Sequence, residues 1–273
     1  MKVRAQQAKS HVLEEILEFL REKLGDRRLN GVILEDVRIG LLYAGVKLSS
    51  GHGGVAYTFM DEAIAYMRAR CMERRTFFSG MRLVDALKLS FSWDLVEAAV
   101  GVAAINAASQ LVFEERASEY EFSDVDVVEL VKKDDDVVMV GYFAPLVPRI
   151  LKKTPNLVVI ERKPAPGDIE ILPDFASEKV LPEADVVIVS GSTLVNKTID
   201  RILELSKNAR DVVLLGPTAS VIPDPLFRRG VTAVMGIRIT DADKMLKIVS
   251  EAGGTRWLLA ECAEKFAILK ERK

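Results

Sequence analysis

From Val137 onwards, short runs of β-branched and aliphatic residues keep returning: VVMV at 137–140, LVVI at 157–160, VVIVS from Val186, VVLL from Val212 and AVMGI from Ala233. A strand that does not alternate polar with apolar residues must be covered on both faces, and strands separated by helix-patterned stretches run parallel. Glycine, proline and aspartate punctuate the runs, and residues such as those after Ser192 and Asp241 carry helical spacing. The second half is therefore predicted to be a Rossmann-like parallel sheet.

The first half has a different rhythm. Leu13, Ile16, Leu17, Leu20 and Leu24 recur at helical spacing, and Gly25 with the following DRRLNG is expected to stop that helix. VILEDVRIGLLYAGVKLS suggests two strands turned near Gly40, followed by the glycine-rich SSGHGG, read as a mobile loop. A short helix around LVDALKL precedes a long one from Asp94, alanine-rich and apolar nearly all round, which predicts burial on every side. The fold class expected is α/β, with an α+β unit over residues 1–122 and the Rossmann-like unit over 123–273. The charged stretch EERASEYEFSDVD between them is read as a solvated linker.

A formal charge of -2 over 273 residues provides no basic face for nucleic acid. Two cysteines, Cys71 and Cys262, make neither a disulfide framework nor a metal knuckle, and both are read as plain thiols. Glu14, Glu15 and Glu18 interrupt any apolar signal core, and no later run is judged to approach a membrane span. A reduced, cytoplasmic setting with neither membrane nor nucleic-acid partner is expected; the oligomeric state is left open.

Ligands of open α/β sheets bind beyond the carboxyl ends of the strands, so the residues after each apolar run carry the functional information. Gly141 follows the first run. Glu161 ends the second, about 20 residues later, the offset at which an acidic side chain meets a nucleotide ribose. The third is followed by GSTLVNKT, which misses a Walker A phosphate loop only because Asn196 stands where the second glycine belongs. Leu194 and Val195 look like packing residues of a helix already under way, which argues against a phosphate cradle. With Ser192 as cap, the N–H groups of Thr193 to Val195 and the side chain of Asn196 would instead meet an anionic or polar group. The fourth end, GPTASVIPDPLF, contributes Gly216 and Thr218 to the same rim. From the first half, Gly51, His52 and Gly53 form a candidate loop over the cleft, with His52 able to titrate or bind metal, and Asn106 is a polar residue on an apolar helix that requires partners. With only two histidines in the chain, a histidine-rich metal cage is excluded.

VGYFAPLVPRILKKTPNLVVIERKPAPGD, ADVVIVSGSTLVNKTIDRIL and VVLLGPTASVIPDPLFRRGVTAVMG resemble, in order and spacing, the Rossmann-like DUF364 family, described as "putative heavy-metal chelatases". GGVAYTF and AAVGVAAINA resemble its N-terminal companion DUF4213, of enolase N-terminal-like fold. The resemblance implies a small-molecule site between the halves, formed by Gly53, Asn106, Gly141, Glu161, Thr193, Asn196 and Gly216. It also makes asparagine the family's own residue at 196. Two departures bear on metal: Tyr142, itself a candidate lining residue, replaces the histidine favoured after the first-strand glycine, and Ala144 stands where proline is usual, with Pro145 next. The leading expectation is a chelatase-like, metal-handling role involving a divalent heavy metal, with Glu161 and His52 as the chemical groups. The competing readings are a binding protein or transferase for a nucleotide-like cofactor such as S-adenosylmethionine, and a non-catalytic interaction protein. Whether the chain is an enzyme is left open.

Overall fold

The structure is a computed structural model, and residues 10–62, 64, 77–162 and 169–271 are described. Cys71 lies outside the described residues. Helix α1 (His11–Gly31) begins at Ser10, whose hydroxyl accepts the Leu13 N–H at 3.3 Å. Its regular turns break at Gly25, as expected, but the following DRRLNG is itself helical. The backbone there turns left-handed, at φ +72°, and the helix resumes beyond the kink, a step that glycine makes without steric cost.

Strands β1 (Leu34–Ile39) and β2 (Tyr43–Leu48) form the hairpin foreseen at Gly40, and β3 (Gly53–Tyr57) adds a third antiparallel strand. Helix α2 (Leu83–Lys88) leads into α3 (Leu95–Glu115), capped by Asp94, which accepts the Val96 N–H at 2.9 Å. Every residue of α3 from Ala98 to Phe113 is buried. By length and composition this helix could cross a membrane, which corrects the expectation that no run approaches a span; 89% of its apolar window is buried inside the protein.

The second half forms a seven-stranded sheet. Its strands are β4 (Val137–Val140), β5 (Leu157–Ile160), β6 (Glu170–Leu172), β7 (Val186–Ser190), β8 (Asp211–Leu215), β9 (Ala233–Ile239) and β10 (Ala263–Leu269). The helical pieces between them are α4 (Val147–Ile150), α5 (Ser177–Val180), α6 (Ser192–Val195), α7 (Ile199–Leu205), α8 (Asp224–Arg228), α9 (Ala242–Ser250) and α10 (Thr255–Glu261). The spatial order is β10-β9-β8-β7-β4-β5-β6, parallel throughout except for β10 against β9. From β6 to β9 this is the doubly wound order of Rossmann sheets, in which the winding reverses between β4 and β7. The edge strands β6 and β10 escape a search for apolar runs because their solvent sides carry Glu170, Glu264 and Lys265.

The three-stranded sheet is packed on both faces, and its glycines record how closely. A Cβ on Gly54 would collide with the Ala103 carbonyl and the Ala107 amide of α3, whereas one on Gly53 would press on Ile239, Ala242 and Met245 beside α9. Thus Gly53 and Gly54 are strand residues, paired with Lys47 and Val46, and close approach explains them where mobility does not. The stretch read as a solvated linker is also pinned. Ser123 pairs with Ala267 on β10, and the rings of Tyr120 and Phe122 meet Phe113 edge-on at centroid distances of 4.9 and 5.5 Å. Its charges had masked two aromatic anchors.

Candidate functional site

A cleft of about 920 Å³ opens at the carboxyl ends of β4, β5, β7 and β8, where the winding reverses. Strand β4 is followed by Gly141 at φ +92° and β8 by Gly216 at φ +107°, conformations that a Cβ disfavours. Gly141 also lies against β7: a Cβ there would come within 2.8 Å of the Ser190 Cβ. Tyr142, Glu161, Ser192, Thr193, Asn196 and Thr218 line the cleft with these two glycines. Residues from the first half close it from the other side: Tyr43 on β2, Tyr57 at the end of β3, then Phe59 and Glu62.

The expected first-half contributor is at the wrong end of its strand. None of Gly51, His52 and Gly53 borders the cleft. They stand at the start of β3, where His52 Nε2 is 2.9 Å from Glu114 near the end of α3 and Nδ1 is 3.0 Å from the Ser50 hydroxyl. A strand rises roughly 3.3 Å per residue, so the five residues of β3 separate this loop from the cleft. Asn106 is fully buried behind the cleft. Its amide donates to the Val55 carbonyl of β3 at 2.9 Å and to the Thr218 carbonyl at 3.0 Å, tying the first half to the loop after β8.

GSTLVNKT proves to be a one-turn helix followed by the hinge that leads into α7. Gly191, wedged against Thr218 and Ala219, takes the cap position with helical torsions, so Ser192 is the first residue of α6 and does not cap it. The Ser192 hydroxyl instead shares a 2.9 Å hydrogen bond with Ser190. Helix α6 is one turn long, too short to sum a useful dipole, so the expected anion site at its N-terminus has little basis. Asn196 ends that turn, and its side-chain oxygen accepts from both the N–H and the hydroxyl of Thr198, at 3.2 and 2.7 Å. Such capping is asparagine's particular aptitude, and a glycine could not supply it. No phosphate loop is formed.

Lys197 follows in the left-handed region at φ +63° and lines the cleft. Its Nζ donates to the Ser92 carbonyl at 2.6 Å and the Val195 carbonyl at 2.8 Å. Burial pulls the ammonium down to about 8, with Asp94 opposing. Arg162 reaches Glu62 at 3.2 Å and Asp174 at 3.9 Å across the cleft rim, and Arg201 pairs with Glu178 and Glu204. These three cations were not picked out as site residues from the sequence. Lys197 occupies the lysine position of the near-miss motif, and Arg162 follows Glu161; both signals were available.

The donor set tests whether a metal fits. Among the described residues, no three histidine, cysteine, aspartate or glutamate side chains converge as a coordination sphere requires. The two oxygens of Glu161 accept the N–H groups of Tyr142 and Arg162 at 3.1 and 2.7 Å, folding the ends of β4 and β5 together. Glu62, Asp174 and Glu178 face arginines. Cys262 is buried after α10, and burial pushes its thiol up to about 11. These residues do not form a heavy-metal centre.

Sheet order, strand-end geometry and sequence agree on the class: the chain belongs to the DUF364 family, described as "putative heavy-metal chelation", whose model matches residues 124–268. The DUF4213 model, with the same description, matches residues 21–109. Among individual relatives, an uncharacterized protein of Methanocaldococcus jannaschii is 32% identical over 242 residues, covering 86% of this chain and 89% of its own. Two DUF364 crystal structures of unknown function are similar throughout. The one from Pyrococcus horikoshii has a TM-score of 0.78 at 28% identity, covering 95% of this chain and 100% of its own. That from Desulfitobacterium hafniense has 0.75 at 27%, covering 94% and 98%.

Proposed function

We propose that the cleft binds a small organic ligand bearing acidic groups, and that a heavy metal handled by this protein arrives coordinated by that ligand. The observation that carries the reading is the pairing of a cleft of about 920 Å³ with a donor set unfit for a bare ion. Tyr57, Tyr142, Phe143 and Phe175 offer it aromatic faces, and Arg162, Lys197 and Arg201 offer it positive charge. Flat apolar bodies are held by such rings and acid groups by such cations. Phe175 is 78% exposed at the rim, apolar surface that a ligand would cover. The nucleotide-type reading has less support, because each carboxylate oxygen of Glu161 already accepts a main-chain N–H.

Titration calorimetry of the full chain tests the proposal, using Fe(II), Co(II), Ni(II) or Zn(II) alone, a polycarboxylate tetrapyrrole alone, and the metal–tetrapyrrole chelate. Heat from the tetrapyrrole or its chelate, with none from the bare ions, is expected. Saturable binding of bare ions together with indifference to the tetrapyrrole would overturn it. A thermal-shift panel including S-adenosylmethionine separates the rival, since a ligand that binds only the folded chain raises Tm.

A further inference from the structure

Lys197 is more than a positive charge on the cleft wall. A neutral amine has two N–H donors and one lone pair, whereas an ammonium has three donors. The Ser92 and Val195 carbonyls accept two N–H groups from Nζ. The neutral amine is thereby satisfied, with its lone pair in the one remaining tetrahedral position. Because Lys197 lines the cleft, that position is the one left for a ligand. The side chain is held there by backbone in the left-handed region, which costs a residue with a Cβ about 1 kcal/mol or more and which, among lysine's neighbours in the motif, Asn196 would have taken more easily. We propose that Lys197 is the reactive amine of this cleft, condensing with the carbonyl carbon of a small anionic aldehyde or ketone to form an imine.

The proposal takes the cleft to be the ligand site and adds a covalent step to it. The amine lone pair forms the C–N bond while the carbonyl π pair moves to oxygen, which gains a proton. The nitrogen then loses a proton and the hydroxyl leaves as water, giving C=N with no oxidant or reductant consumed. Burial, which draws the lysine down to about 8, enlarges the reactive fraction. At neutral pH an ordinary lysine near 10.4 is almost wholly protonated, so the gain in free amine is on the order of hundredfold. Asp94 is the charged group that bears on Nζ; on the neighbouring elements stand Glu97, which accepts the Ser92 hydroxyl at 2.6 Å, and Arg201 of α7, which lines the same cleft. The two cationic rim residues, Arg162 and Arg201, suit an acid group on the carbonyl compound.

The probe is pyridoxal 5′-phosphate, a flat anionic aldehyde, added below stoichiometry to the full-length protein and trapped with borohydride, followed by peptide mass mapping. Lys197 is expected to carry the pyridoxyl group at least tenfold more than any other lysine, with labelling rising through a midpoint near pH 8. Lys197→Arg keeps a cation able to donate to both carbonyls and cannot form an imine; it should lose that label. Labelling of wild-type Lys197 no faster than that of surface lysines would overturn the proposal without recourse to any variant. Selective labelling at Lys197 with no tetrapyrrole binding would retain this step and remove the ligand class proposed above; tetrapyrrole binding without labelling would do the reverse.

Discussion

Replacing Asn106 by alanine removes a side chain whose amide bridges β3 and the loop after β8, beside the bond from the Tyr57 N–H to the Thr218 hydroxyl at 3.0 Å, with no charge change to confuse the result. Asn106 is fully buried, and its amide satisfies the Val55 and Thr218 carbonyls at 2.9 and 3.0 Å. Each bond contributes about 1 kcal/mol net, and each carbonyl left dry adds a penalty of about 1–3 kcal/mol. Against this, the Asn106 side-chain oxygen is buried with no hydrogen-bond partner, so deleting it returns about 1–3 kcal/mol. The balance is a destabilisation of about 3–5 kcal/mol. Asn106→Asp should be worse, because a carboxylate would face two carbonyl oxygens with no proton to offer. Its folded-state acid would titrate above the unfolded value near 3.9. The penalty is therefore absent below that value and grows as pH rises towards the folded one. Urea unfolding followed by circular dichroism at pH 5 and pH 7 measures both variants. If Asn106→Ala lies within about 0.5 kcal/mol of wild type, or the aspartate is no worse than the alanine at pH 7, the tie between β3 and the β8 loop is not what this residue provides.

Two further substitutions probe the frame around the cleft. Arg210 grips Asp135 with two nitrogens, at 2.9 and 2.7 Å, and reaches Asp211 at 2.9 Å; Arg210→Met strands two buried carboxylates and should cost about 3–5 kcal/mol in urea unfolding. Arg210 also holds the Asp135 carboxyl below the usual range, so its contribution is complete above the unfolded value near 3.9 and fades as pH falls through the folded one; the variant's acid-unfolding limb should be correspondingly flatter. Gly54→Ala forces a methyl into the α3 backbone and should cost about 3 kcal/mol or more, whereas Gly51→Ala, at φ +89° with open space around it, should cost only about 1 kcal/mol of backbone strain. Equal losses of Tm for the two would refute the close-packing account of the glycine-rich stretch.

Much of the molecule was legible before any coordinates. Apolar runs announced the parallel sheet because a doubly covered strand has no solvent face to record. The unbroken apolarity of α3 announced a helix enclosed on all sides for the same reason. The strand-end rule then located Gly141, Glu161, Asn196 and Gly216 on the cleft, since connectivity alone decides which end of a parallel strand meets the next loop. What failed were inferences that depended on which partner a residue meets. Gly53 and Gly54 could be read as mobility or as close approach, and only α3 and α9 lying against opposite faces of β3 select the second. Tyr120 and Phe122 looked like passengers in a charged linker until Phe113 and Phe266 supplied a surface.

By itself, the order of residues determined the parallel core of the sheet and the rim from which a ligand would be held, because these follow from local periodicity and chain connectivity. Tertiary structure decided which groups point into that rim. It moved His52 to the far end of its strand, turned Asn196 into a cap, and set Lys197 between two carbonyls. Burial and hydrogen-bond partnership come from residues distant in the chain, and no spacing within GSTLVNKT contains the Ser92 carbonyl.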